Sequence, residues 1–144
     1  MTAEMYLKQH RKLSAKIRRI QETIEETRAA AEYPGINLTG MPRSASHRNT
    51  QEDKLVKLAT LEEHLLDVIL EDKEILYDIE NTIETLEDEN QKEVLFLRYI
   101  KGVPFVNYYG YNIAEKMGYS ERHVYRLHRA GLNEIQKIID ARNL

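Results

Sequence analysis

A chain of 144 residues can bury roughly two-thirds of its unfolded surface, enough for one domain to fold without disulfides or metals. It has no cysteine, which excludes a thiol nucleophile, a zinc ribbon and a disulfide framework together. The formal net charge of −3 hides an uneven spread: residues 51–89 carry 3 Lys and Arg against 14 Asp and Glu, whereas residues 90–144 carry 9 against 5.

The opening stretch, MTAEMYLKQHRK, is polar and charged, and no apolar run approaches the roughly 20 residues that span a bilayer. A cytoplasmic protein without a membrane partner is expected. Leu13, Ile17, Ile20, Ile24 and Thr27 then follow at alternating spacings of four and three, a single apolar stripe on a helix. EYPGINLTGMPRSASHRNT (Glu32–Thr50) breaks that pattern with Pro34, Gly35, Gly40 and Pro42 and reads as a long loop. A linker or a disordered segment is expected over 33–50, with Arg43 and Arg48 the only hint of a contact.

From Gln51 the helical period resumes through Leu58, Leu61, Leu65, Val68, Ile75, Ile79, Ile83 and Leu86 to about Glu87. Such a helix is on the order of 50 Å long, more than one small core covers. The first helix can fold back on it as an antiparallel hairpin, and the remaining surface suggests a second copy of the chain. The acidic residues of this helix are expected to form its solvated face.

Asp88 or Asn90 can cap a third helix, whose buried face is Val94, Leu95, Leu97, Tyr99 and Ile100 and whose end is Gly102 with Pro104. The tract that follows holds Tyr108, Tyr109 and Tyr111, expected to pack on their own domain with their hydroxyls wet, the alternative being insertion against a DNA backbone or contact with a partner. NIAEKMGYSERHVYRLHRA (Asn112–Ala130) carries a glycine where a continuous helix would avoid one, at a cost of roughly 1 kcal/mol against Ala. Two short helices joined by a turn at Gly118 resolve the conflict. Ala114 is then small where the helices pass closely, Ile113, Met117, Val124 and Leu127 point inward, and Ser120 supplies the N-cap.

This is the spacing of a helix-turn-helix, whose second helix enters the major groove of DNA. With Val124 and Leu127 buried, the 100° step sends Glu121, Arg122, Tyr125, Arg126 and Arg129 outward. Arginine suits both a bidentate fork onto guanine and charge-assisted bonds to phosphate, and Glu121 can accept from cytosine N4 or orient an arginine. Ser120, Glu121, Arg122, Tyr125, Arg126 and Arg129 are therefore the candidate DNA-binding residues. Gly131, late in this helix, predicts a kink or an early end there.

Three stretches carry a resemblance: LRY at Leu97–Tyr99, IAEKMGYS at Ile113–Ser120 and VYRLHRAGL at Val124–Leu132. They are similar to the DNA-binding fourth region of sigma factors and, more closely, to small phage regulators of the RinA and ArpU type. The resemblance covers the last third of the chain, and the preceding hairpin with its GMPRS stretch (Gly40–Ser44) is similar in a less specific way. It implies an activator of phage or mobile-element genes that binds double-stranded DNA and works with the host RNA polymerase.

An enzyme is not expected. His10, His47, His64, His123 and His128 form no H-E-x-x-H, and Glu62 and Glu63 adjoin His64 rather than standing at the i, i+3 spacing of a carboxylate-bridged metal bundle. There is no glycine-rich phosphate loop and no Gly-x-Ser-x-Gly elbow, so no catalytic residue, no metal and no cofactor is assigned. The expectation is an all-α protein: a coiled-coil-like helical hairpin over 1–87 that forms a homodimer or binds a partner, then a sigma-like helix-turn-helix domain over 88–144. Two alternatives stand beside the regulator: a small-terminase-like recognition subunit for phage DNA packaging, and a module that binds polymerase without DNA.

Overall fold

The computed structural model describes residues 1–32, 46–107 and 109–143. Among them there is no strand, and the chain is all-α, with helices α1 (Ala3–Glu32), α2 (Ser46–Glu84), α3 (Glu89–Leu95), α4 (Ile113–Met117) and α5 (Glu121–Arg142). No described helix is long and apolar enough to cross a membrane. The chain divides into two compact units, one of residues 15–72 and one of residues 1–14 with 73–144, so that α1 and α2 each contribute a stretch to both.

In the unit of residues 15–72, Ile17 and Ile24 of α1 and Ile69 of α2 are buried, with Ile20, Leu58, Leu65 and Val68 half-buried beside them. Ion pairs join the two segments: Lys16 to Asp72 at 3.0 Å, and Arg28 to Glu62. The pairing rises along α1 as it falls along α2, so the segments run antiparallel. A cleft of about 180 Å³ lies among Ile24, Thr27, Leu58 and Leu65. Helix α2 begins at Ser46, five residues before the expected Gln51, because no Pro or Gly follows Pro42 to stop it. It also ends at Glu84 rather than Glu87. Leu61 and Ile75, expected on the same apolar stripe as Leu58, are exposed instead. Arg43 lies outside the described residues.

The other unit has two apolar clusters. The first gathers Tyr6 and Leu7 from the start of α1, Ile79 and Ile83 from the end of α2, Leu95 and Tyr99, and Ile135 and Ile139 from α5. The sequence division at 87/88 follows chain order; this packing crosses it, because the short α3 and the second half of α5 bury their apolar residues against α1 and α2. A polar set closes the same region. Asp78 Oδ2 accepts from the Tyr6 hydroxyl at 2.5 Å and from Arg142 Nη1 at 3.0 Å, and Arg142 Nη2 donates to Thr82 Oγ1 at 2.9 Å.

Asp88 caps α3, its carboxylate accepting from the N–H groups of Asn90 and Gln91 at 2.8 and 3.1 Å. The helix then widens into a π turn over Phe96–Ile100, where the Lys101 N–H reaches the Phe96 carbonyl at 3.0 Å. Leu95 and Tyr99 belong to the first cluster and Val94 and Leu97 to the second, so α3 and its π turn serve both. Gly102 ends the segment with a φ of +71°.

Candidate nucleic-acid interface

The second cluster holds α4 against α5. Val94, Leu97, Val103, Ile113, Val124 and Leu127 are buried in it, with Phe105, Ala114 and Met117 packed at its edge. Asn112 caps α4 by accepting from the Glu115 N–H at 2.8 Å. Gly118 ends α4 in the left-handed region, at φ +71° and ψ +28°, and its N–H and that of Tyr119 both reach the Ala114 carbonyl, at 2.9 and 3.1 Å. Two residues later Ser120 Oγ accepts from the His123 N–H at 3.2 Å and starts α5. The chain thus makes a helix, a three-residue turn and a second helix between Ile113 and Arg142.

All six candidate residues lie on the first half of α5 or its cap, and all six are exposed. Arg122, Tyr125, Arg126 and Arg129 fall at i, i+3, i+4 and i+7, one face of the helix, while Val124, Leu127, Gly131, Ile135 and Ile139 occupy the buried one. Among the described residues none of the three arginines joins an ion pair. Three guanidinium groups therefore stand on one solvent-facing surface, none within ion-pair distance of a carboxylate among the described residues. That surface suits a polyanion.

Tyr125 is less free than the arginines. Its ring packs at 5.0 Å on Phe105, which also meets the His128 ring edge-on at 4.8 Å and lies under the Arg98 guanidinium at 4.7 Å. Phe105 and Arg98 are the neighbours that sequence reasoning missed. Phe105 stands in an aperiodic tract and Arg98 in the predicted third helix, and nothing in either segment points to α5, so only their aromatic and cationic types were a signal.

His128 does not reach outward. It shares a 2.8 Å hydrogen bond with the Tyr99 hydroxyl, and burial lowers its pKa from the ordinary histidine value while burial also pushes Tyr99 up to about 12. Both groups are thereby held neutral. His123 is exposed and meets the Tyr119 ring edge-on at 4.8 Å. Of the tyrosines expected to pack on their own domain, Tyr109 is 96% exposed and Tyr111 lies under the Lys116 ammonium at 4.9 Å, still more than half exposed; Phe105 does the packing instead. Tyr108 is outside the described residues.

Gly131 does not end α5, which continues to Arg142. A Cβ at Gly131 would come within 3.0 Å of Leu95 Cδ1 and 3.2 Å of its Cγ. Helices α3 and α5 approach so closely here that a Cβ would require the Leu95 side chain to give way by a few tenths of an ångström, a constraint that helix propensity alone does not reveal. No group of three or more His, Asp or Glu residues disposed to hold a metal ion occurs among the described residues. No protein-family model, curated protein or solved structure matches this chain.

Proposed function

We propose that the chain is a sequence-specific, double-stranded-DNA-binding transcriptional regulator and not an enzyme. The segment α4–turn–α5 acts as a helix-turn-helix, with the first half of α5 in the major groove. The observation that carries this reading is the arginine face of α5: Arg122, Arg126 and Arg129 exposed, unpaired among the described residues, and opposite the buried stripe that fixes the helix on its domain. Such a face neutralises phosphates and offers planar donors to guanine O6 and N7. Ser120 and the α5 N-terminus add N–H groups and a positive helix end toward the same ligand. Tyr125, its ring packed on Phe105, shares the same helix face.

The resemblance to small phage activators refines the reading to a regulator of phage or mobile-element genes that acts in the cytoplasm as a homodimer beside the host RNA polymerase. The test is binding of the purified chain to fragments of the DNA flanking its own gene, titrated from low to physiological salt. Site-selective binding is expected, and Arg126→Ala should cost about 1–3 kcal/mol if Arg126 reads a base, with relaxed selectivity at one position. If it contacts phosphate only, affinity falls evenly and the salt slope drops by about one. Wild-type chain that fails to bind at low salt removes the reading altogether.

A further inference from the structure

Helix α2 carries a second stripe apart from the one it buries. The buried and half-buried positions Leu58, Glu62, Leu65, Ile69, Asp72, Leu76 and Ile79 alternate by four and three along one line. Displaced from that line by roughly 100° around the helix run Ala59, Glu63, Leu66, Leu70, Lys73 and Tyr77, also spaced by four and three, and all exposed. Leu70 is 62% exposed and Tyr77 66%, large values for apolar side chains in mid-helix. All six belong to one continuous helix, so the helix alone sets their register.

The stripe is self-complementary when read backwards about Val68. An antiparallel copy in that register sets Ala59 opposite Tyr77, Glu63 opposite Lys73 and Leu66 opposite Leu70, and each layer recurs on the other side of the two-fold axis. Small meets large, leucine meets leucine, and opposite charges meet. Neither Glu63 nor Lys73 has an ion-pair partner among the described residues. Parallel pairing would instead set Glu63 on Glu63 and Lys73 on Lys73, which like-charge repulsion disfavours. The other apolar line of α2, exposed Leu61 and Ile75 with half-buried Val68 between them, pairs poorly with itself. In antiparallel layers its apolar residues fall opposite Glu71, His64 and Lys57.

We infer that this stripe is the seam of an antiparallel, two-fold homodimer in which α2 packs on α2 of a second copy, centred on Val68. The isologous geometry explains why a helix with a strong acidic excess keeps a lysine at position 73 in the stripe. The inference deepens the homodimer of the reading above, and no DNA enters its test, so either can fail alone.

Because the chain has no cysteine, single thiols report the register cleanly. Full-length Ala59→Cys and Tyr77→Cys, mixed and mildly oxidised, should form a disulfide-linked dimer, while neither does so alone, since two copies of position 59 lie about 27 Å apart along the axis at 1.5 Å per residue. Light scattering on charge variants is the second readout. Glu63→Lys and Lys73→Glu should each weaken the dimer by roughly tenfold or more, and the double exchange should bring it back. Ala59→Cys crosslinking to itself, a double exchange no tighter than the singles, or a wild-type monomer at tens of micromolar concentration each overturns the inference.

Discussion

Gly131→Ala separates two reasons for a glycine inside a long helix. Alanine is better than glycine in a helix interior by roughly 1 kcal/mol, so propensity alone predicts stabilisation. The structure predicts the opposite sign. The new methyl would stand 3.0 Å from Leu95 Cδ1 and 3.2 Å from Cγ, where ordinary carbon contacts lie at about 3.5–4.0 Å, and Leu95 is fully buried in the first cluster. Forcing a methyl into packed core costs about 1–3 kcal/mol. The two effects leave a net destabilisation of about 1 kcal/mol, visible in urea unfolding and as a fall of about 3–4 °C in Tm. In a Leu95→Ala background the obstruction is gone, so the same substitution should there stabilise. A wild-type background in which Gly131→Ala gains about 1 kcal/mol would refute close approach as the reason for the glycine.

Gly118 has open space around its Cβ position, so Gly118→Ala tests backbone conformation alone. At φ +71° it should cost about 1–2 kcal/mol in urea unfolding, with Gly118→Asn costing less; equal stability of Ala and wild type would mean that the turn relaxes out of the left-handed region. His128, its pKa lowered by burial, makes stability fall as pH drops below the unfolded value of about 6.5, since the unfolded chain then binds the proton that the folded chain refuses. Unfolding titrations between about pH 7 and 5 should show that slope reduced in His128→Gln, and an unchanged slope would assign it to the carboxylates.

The segment around the candidate site was legible because local chemistry fixes it. Gly118 has to take positive φ, Ser120 has a side chain that satisfies a free N–H group, and Val124 and Leu127 stand at helical spacing from each other. Each fact lies within a few residues of what it determines. Gly131 was misread because its partner, Leu95, is 36 positions earlier, and nothing in the helix itself announces so close a neighbour. Phe105 was missed for the same reason. It stands in an aperiodic tract, and its contacts come from two other elements, Arg98 in the π turn and Tyr125 and His128 on α5. The apolar line on α2 was read as one stripe where there are several, because leucines at every third and fourth position satisfy more than one helical face at once.

Charge is where the sequence pattern and the structure bear on each other most directly. A chain with a net charge of −3 is a poor ligand for DNA if its charges mix freely, but its ion pairs are local. The acids of α2 meet bases of α1 and of the end of α5: Asp72 meets Lys16, Glu62 meets Arg28, and Asp78 meets Arg142. Arg122, Arg126 and Arg129 are absent from those pairs. Exposed pairs contribute little stability, with a median near 0–1 kcal/mol, so their more consequential effect here is on where free charge remains. Beyond a Debye length of about 8 Å at physiological salt, exposed acids are screened from a phosphate, whereas an arginine touching it is not. Neutralising exposed α2 acids such as Glu71 or Glu74 should therefore leave DNA affinity within about twofold at physiological salt, while each arginine lost from α5 changes it by far more; comparable effects from both would mean that net charge, not the arginine face, governs binding.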